Sequence, residues 1–499
     1  MNSCTPRQAA QVAKPDESPI SKPARACADR ASVLECGSPL PLSHRELGHI
    51  KRQRAAALQN LAEIKRFMGS ENRFPPHNIS GDWIRDRHIQ KQENIQSPFP
   101  LPEGEGQGEG KDSPAHKPFY LAALSALIIF LLCLTSRAES IPKFTPDGFV
   151  IPQPGRHFVF PRDYGSHPDF AIEWWYVTGH LTAKDDQRFG FQATFFRRAL
   201  KPPGETNSEA SAAFGNHQLY LAHMALTEIA AGQFHYQERL NRDGWNAFAS
   251  TNTTDVRNGN WSLRLLPEKS GAPVGNVFEL HGTIGANIAF ALNLTPKTPL
   301  VIFGTNGVSR KAADPTASSH YLTFPRLATA GTLTLGDTNL SVTGEAWMDH
   351  EFSSSQLGTG QVGWDWLSLQ LFDGRELMAY RMRRTDGSTD PFSTVAWIDR
   401  QGKVRQIGPD KFKWTALKPW RSPKTGADYP ALVRLEAVNP NTGKSEVFII
   451  EPDVADQELA GGGGAYWEGA CQVLDGNQKP IGRAYMELTG YGQSLKGKF

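Results

Sequence analysis

Residues 344–353 read Gly344-Glu345-Ala346-Trp347-Met348-Asp349-His350-Glu351-Phe352-Ser353, the densest polar cluster in an apolar setting in this chain. In an extended segment, successive side chains point to opposite faces. Trp347, Asp349 and Glu351 then share one face, and Met348, His350 and Phe352 the other. A carboxyl beside a tryptophan in a dry cavity has a raised pKa, because burial penalises its charged form. Such a group donates a proton near neutral pH, as a general acid must. Asp349 is the candidate acid, with His350 or Glu351 tuning it. The alternative is that Asp349 and Glu351 only accept hydrogen bonds from backbone or arginine at a domain junction.

Other chemistries find less support. His180, His217, His223, His235, His281 and His320 are scattered, with no His-x-x-x-His, His-Glu-x-x-His or Cys-x-x-Cys spacing, so we expect no metal. No Gly-x-Ser-x-Gly elbow presents a serine nucleophile, and Ser353-Ser354-Ser355 reads as a polar loop. Gly461-Gly462-Gly463-Gly464 has no following Lys-Ser/Thr and is a turning connector, not a phosphate loop. Glu173, Glu468 and Glu487 lie in otherwise apolar strands, where an acid pairs or lines a site. Arg197, Arg326 and Arg383 are candidate partners.

The elements that must hold these groups are strands. From residue 141 onward, short runs of Val, Ile, Leu, Phe, Trp and Thr alternate with turn signals such as Asp185-Asp186, Asp243-Gly244, Asp373-Gly374 and Asp475-Gly476. This pattern marks antiparallel strands in a sandwich or barrel. One hairpin occurs twice. The first copy runs from Trp174-Trp175 through an acidic turn to Arg197-Arg198, and the second from Trp364-Asp365-Trp366 through Asp373-Gly374 to Arg383-Arg384. A unit duplicated at that separation predicts two similar barrels. In the second copy Trp364, Trp366, Ser368 and Gln370 share one face, and Asp365, Leu367, Leu369 and Leu371 the other. One face packs on a partner domain and the other lines a barrel. With 12 Trp and 27 Phe, the chain has the aromatic content for a large core or a ligand cavity.

The sequence upstream is of another kind. Residues 119–134 are nearly all apolar, with Lys111 and Lys117 before them and Ser136-Arg137-Ala138 after. This is the three-part pattern of a secretory signal, either cleaved or retained as an anchor, so membrane contact through 119–134 is an expectation. Residues 1–117 hold Pro/Gly-rich stretches without periodicity and resemble translated intergenic DNA; we expect disorder there and a native start near residue 110. Residues 49–67 read as a basic helix to which no function is assigned. Only Cys471 of five cysteines follows the apolar run, so the exported part folds without an internal disulfide. The formal net charge of +2 gives no reason to expect nucleic-acid binding.

Several segments together resemble one family: Glu173-Trp174-Trp175-Tyr176-Val177-Thr178-Gly179, Phe189 to Arg197, Ala222-His223-Met224-Ala225-Leu226, Ser319-His320-Tyr321 leading to Pro325-Arg326-Leu327, residues 344–353, Gly363-Trp364-Asp365-Trp366, and Tyr466-Trp467-Glu468-Gly469-Ala470. In this order, from about residue 155 to 499, they resemble the AttH-like exported proteins, a family that includes carotenoid 1,2-hydratases. The resemblance implies an all-β fold of two tandem lipocalin-like barrels packed side by side, over 155–352 and 353–499, behind a signal or anchor at 118–138. It implies a protein without cofactor that acts on or holds an apolar isoprenoid- or lipid-like molecule, works outside the cytoplasm, periplasmic or on the outer side of the inner membrane, and has an ABC transporter permease as a partner. Hydratases of this family protonate an isoprenoid double bond and add water. Two departures set this chain nearer the AttH branch. Asp349-His350-Glu351 stands where the hydratases read Asp-His-Asn, and Tyr380-Arg381-Met382-Arg383 lacks the acid that they carry. The expected site is therefore catalytic Asp349, His350 and Glu351 within a cleft of Trp174, Trp175, Trp347, Trp364, Trp366, Tyr321 and Tyr380. A non-catalytic lipid carrier and a secreted hydrolase are the competing readings.

Overall fold

A computed structural model describes residues 141–203, 218–244, 246–267, 276–462 and 464–495. The expected extension and apolar segment at 1–138 lie outside the described residues. Among the described residues the fold is all-β, with two antiparallel sheets of thirteen and ten strands and no α-helix.

The first sheet contains β1 (Ile172–Thr182), β2 (Arg188–Ala199), β3 (Gln218–Glu228), β4 (Gln233–Arg242), β5 (Ala247–Ala249), β6 (Asp255–Asn258), β7 (Trp261–Leu265), β8 (Phe278–Ile284), β9 (Ile288–Pro296), β10 (Val301–Ile302), β11 (Ser309–Arg310), β12 (Ser318–Leu335) and β13 (Thr338–Ser355). Its hydrogen-bonded order is β4-β3-β2-β1-β13-β12-β9-β8-β7-β6-β5, with β10 and β11 added to β12. The path curls until its ends meet: Asn241 of β4 donates from Nδ2 to Asn258 Oδ1 of β6 at 2.5 Å. The second sheet contains β14 (Gln361–Leu371), β15 (Glu376–Arg384), β16 (Thr394–Ile398), β17 (Val404–Ile407), β18 (Phe412–Arg421), β19 (Asp428–Val438), β20 (Ser445–Pro452), β21 (Glu458–Gly461), β22 (Gly464–Leu474) and β23 (Pro480–Leu488). It is ordered β17-β16-β15-β14-β23-β22-β20-β19-β18, with β21 on β22. The duplicated hairpin of the sequence is β1–β2 in one sheet and β14–β15 in the other.

Each sheet wraps its own core. Trp175, Val177 and Leu181 of β1 and Ala346 and Met348 of β13 point into the first. Leu367, Leu369 and Leu371 of β14 point into the second. Full burial of each large apolar side chain contributes about 1.5–3 kcal/mol. The alternate residues of the same strands face the other barrel and build a third cluster from Tyr176, Tyr321, Trp347, Trp366, Tyr380 and Tyr485 with aliphatic neighbours. Period-2 alternation thus sends each central strand's side chains to a barrel interior and to the junction.

Backbones approach closely at this junction. A Cβ on Gly190 of β2 would lie 2.4 Å from the Cβ of Ala470 on β22. Both atoms sit on paired strands, so neither yields without moving a barrel. Gly190→Ala is expected to cost about 1–3 kcal/mol in urea unfolding. Gly476→Ala, at a position with nothing within 4 Å, is the control. Equal stability of both variants would remove the close approach as a constraint.

Candidate functional site at the barrel junction

Two rows of side chains, one from each sheet, face each other across the junction. In the first sheet Tyr176 of β1 lies opposite Asp349 of β13, and Asp349 opposite Thr323 of β12. In the second sheet Tyr380 lies opposite Trp366, Trp366 opposite Glu487, and Glu487 opposite Glu468. Adjacent strands bring residues distant in sequence into one row, because same-face residues of paired strands lie side by side.

Asp349 is the centre of the first row. It is 3% exposed and accepts three hydrogen bonds: from Thr323 Oγ1 at 2.6 Å, Trp347 Nε1 at 2.7 Å and Tyr321 Oη at 2.7 Å. Trp366 of the other barrel donates its Nε1–H to Tyr321 Oη at 3.0 Å. The Asp349 carboxyl is thereby wired to both barrels. Burial pushes Asp349 up to about 7, against the three donors, which pull it down. Among the described residues no cation touches it, so the donors stabilise the anion without neutralising it. A carboxylate has about four acceptor positions, so one remains for a proton. The ring of Trp366 packs edge-on to Tyr176 and Trp347, with centroids 5.3 and 6.0 Å away.

Tyr321→Phe removes one donor to Asp349 and the acceptor of Trp366. Asp349 is then expected to titrate at higher pH, since loss of a bond to the charged form favours the neutral one, and stability to fall by about 1–3 kcal/mol. Carboxyl-band infrared titration of the two proteins reads this. An unmoved or lowered Asp349 titration would contradict the wiring.

The remaining expected site residues divide. Glu351 shares the junction face, and burial raises its pKa against the opposing charge of Lys311. The Lys311 Nζ lies 3.4 Å from Glu351 Oε1 and sits over the rings of Tyr321 and Tyr380, 4.7 and 4.4 Å from their centroids. Tyr380 holds its hydroxyl on the Arg310 carbonyl at 3.2 Å. Trp174 and Trp364 are the partly exposed tryptophans packed against this layer, and Trp364 Nε1 donates to Glu487 Oε2 at 2.9 Å. Trp347, Trp364, Trp366, Trp174, Tyr321 and Tyr380 therefore meet in one layer with Asp349 and Glu351.

His350 and Trp175 do not join them, which corrects the expected cleft. Both point into the first barrel, where their rings stack at 4.7 Å. The reason is strand parity: each is one residue from a junction-facing neighbour. His350 Nε2 lies 2.9 Å from Glu173 Oε1, and burial lowers the His350 pKa. Glu173 also takes Arg197 Nε at 2.9 Å, Ser166 Oγ at 2.8 Å and His167 Nδ1 at 2.9 Å. Burial alone would raise Glu173, but Arg197, His167 and His350 hold it well below the ordinary carboxylate range. Ligand-type atoms of His167, Glu173 and His350 lie within 4.8 Å of one another. The Arg197 guanidinium already neutralises their carboxylate, and the group is an internal ion-pair network. Beside His350, with Tyr164 and Met348 in its wall, is a cavity of about 10 Å³, the size of one water. An open groove of about 400 Å³ on the outer face of the first sheet, lined by Ser262, His281, Thr283 and Thr332 among others, has no carboxyl.

Sequence reasoning missed Tyr176, Thr323 and Lys311. Tyr176 was legible from alternation with Trp174. Lys311, in an Arg-Lys-Ala-Ala stretch, carries no signal for burial at 5% exposure. Of the acids that stood out in apolar strands, Glu173 has one of the expected arginine partners, whereas Glu468 and Glu487 have none of them. Arg197 pairs with Glu173, Arg326 with Glu345 and Glu376, and Arg383 with Asp365.

Comparison with known proteins places this architecture. Residues 151–491 match the family described as AttH-like. The crystal structure of a protein assigned as AttH from Nitrosomonas europaea is 35% identical, covering 68% of this chain and 98% of its own, with a TM-score of 0.59. Kievitone hydratase from Nectria haematococca shares the fold at 14% identity, covering 70% of this chain and 98% of its own, with a TM-score of 0.50. No match is found among curated proteins.

Proposed function

The chain belongs to the AttH-like family, and on that premise we propose that it hydrates an apolar isoprenoid- or lipid-like alkene at the junction of its two barrels. The observation that carries this reading is Asp349: a buried carboxyl with its pKa near 7, held by neutral donors and walled by Trp347, Trp366 and Tyr321. Its proton passes to an alkene carbon. The faces of the neighbouring aromatic rings stabilise the carbocation that forms, and water adds to it. The fold shared with a protein named as a hydratase agrees with this reaction type. The acid that carotenoid hydratases carry after the tryptophan pair is missing at Tyr380-Arg381-Met382-Arg383, so the reading extends to hydration and not to carotenoids.

Export belongs to the same reading, through the apolar residues 119–134 and a folded part whose one cysteine, Cys471, needs no partner. A carrier that works beside an ABC transporter permease is the second reading. It draws on the three hydrogen bonds that already fill most of the Asp349 carboxylate, as in a purely structural node.

Mass spectrometry of lipids that co-purify with the full-length protein, before and after incubation in heavy-oxygen water, separates the two. Hydration adds one labelled water to the ligand in the native protein and not in Asp349→Asn. A bound lipid of unchanged mass supports the carrier. Absence of any apolar ligand would sink both.

A further inference from the structure

Glu468 and Glu487 form a second acidic centre beside Asp349, and nothing in the reading above uses it. They are direct cross-strand partners on β22 and β23, and both face the junction. Glu468 is 1% exposed and accepts from Gln192 Nε2 of the first barrel at 2.8 Å. Glu487 accepts from Trp364 Nε1. No lysine or arginine is ion-paired with either among the described residues. The titratable groups around the pair on the packed elements are Tyr176 on β1, Tyr466 on β22, Tyr485 on β23, and the acids Asp349, Glu351 and Asp365; behind the tyrosines, His223 of β3 meets the Tyr466 hydroxyl at 2.7 Å and His180 of β1 packs on the Tyr485 ring. The groups that face the carboxyls directly are tyrosines and acids, neutral or anionic. Two carboxylates in such a place cannot both ionise, so near neutral pH the pair holds at least one proton.

Independent atoms point into this centre. Glu468 Oε1, Tyr176 Oη and Tyr485 Oη are buried and make no well-formed hydrogen bond, although the Tyr176 hydroxyl lies near enough to the Glu468 carboxyl to interact with it. Tyr176 lies beside Glu468 and registers the charge of both glutamates, and Tyr485 registers that of Glu468. Buried polar atoms without a protein partner are satisfied by ordered water or by a ligand. Tyr176 is also the cross-strand partner of Asp349, and Trp366 that of Glu487. One aromatic residue from each barrel thus separates the two acidic centres.

We propose that Glu468 and Glu487, with Tyr176, are the water-holding half of the site: they bind the water that adds to the ligand and take its proton. The inference rests on the hydration reading. The alkene π pair forms a C–H bond with the Asp349 proton. A lone pair of the held water forms the C–O bond, and one of its O–H protons passes to the ionised member of the pair. That proton returns to Asp349 through solvent. One water is added, and nothing is oxidised or reduced.

The test uses full-length protein with squalene as the alkene probe, in heavy water. Native protein is expected to give deuterated alcohol. Glu468→Gln and Glu487→Gln are expected to lower the rate of alcohol formation about 100-fold or more, with KM little changed. They still place deuterium in recovered or isomerised alkene, because the cation forms but collapses by proton loss. Alcohol formation at the native rate in both variants overturns the inference and leaves the hydration reading standing. Loss of both alcohol and deuterium labelling in native protein is instead a failure of the hydration reading with this probe. A substrate-free arm then decides the water site. A high-resolution crystal structure is expected to show a water bonded to Glu468 Oε1 and Tyr176 Oη, and a dry contact there overturns the inference.

Discussion

Asp349→Asn is expected to lower squalene hydration by about 100- to 10,000-fold, the range that a positioned general acid supplies. Asparagine keeps the shape and an acceptor for Thr323 and Trp347 but has no proton to give. The pH profile carries the same signature. Asp349 titrates near 7, so native activity is expected to hold on the acid side and fall about tenfold per pH unit above neutrality, as the donor loses its proton. Stability follows the same sign. A carboxyl whose pKa is raised on folding stabilises the fold below its unfolded value, near 3.8, and that contribution is lost as pH rises through about 7. Asp349→Asn is therefore expected to gain stability relative to the native protein in mild alkali. Native turnover by the variant, or identical pH profiles, would remove Asp349 from the chemistry.

The second large effect is structural. Arg197→Met is expected to cost about 3–5 kcal/mol, because it leaves a buried carboxylate without its cation. Arg197 donates to Glu173, to Gln218 at 3.0 Å, and to the carbonyls of His167 and Phe170 at 3.0 and 2.8 Å. Arg197 and Glu173 are both buried. Glu173 is held well below the carboxylate range, so its contribution is present above its unfolded pKa and lost as pH falls through the folded one. Removing Arg197 moves acid unfolding to higher pH. Glu173→Gln added to Arg197→Met is expected to recover part of the loss, and a double-mutant cycle measures the coupling. Urea unfolding followed by tryptophan fluorescence reads both. A loss under about 1 kcal/mol, the scale of exposed ion pairs, would show that the charge is compensated elsewhere.

The two experiments address opposite faces of the same strands. Glu173 and His350 point into the first barrel, while Trp174 and Asp349 point to the junction. The interior network fixes β1 against β13, and that pairing sets Tyr176 beside Asp349. A substitution in the network is thus expected to disturb the junction through strand register, and one at the junction to leave the first core intact.

Alternation within one strand is a local property, and it alone put Trp347, Asp349 and Glu351 on one face with His350 on the other. The β class and the two barrels were legible for the same reason: turn signals, period-2 runs and the duplicated hairpin all lie in contiguous sequence. Which face meets the second barrel is not local. Trp366 reaches Tyr321 across the junction, and lies beside Glu487, only because the fold brings together strands far apart in the chain. Burial of Asp349, Glu468 and Lys311 was decided there as well. The free energy of a charge depends on what surrounds it in three dimensions, and neighbouring strands and the other barrel together supply those surroundings.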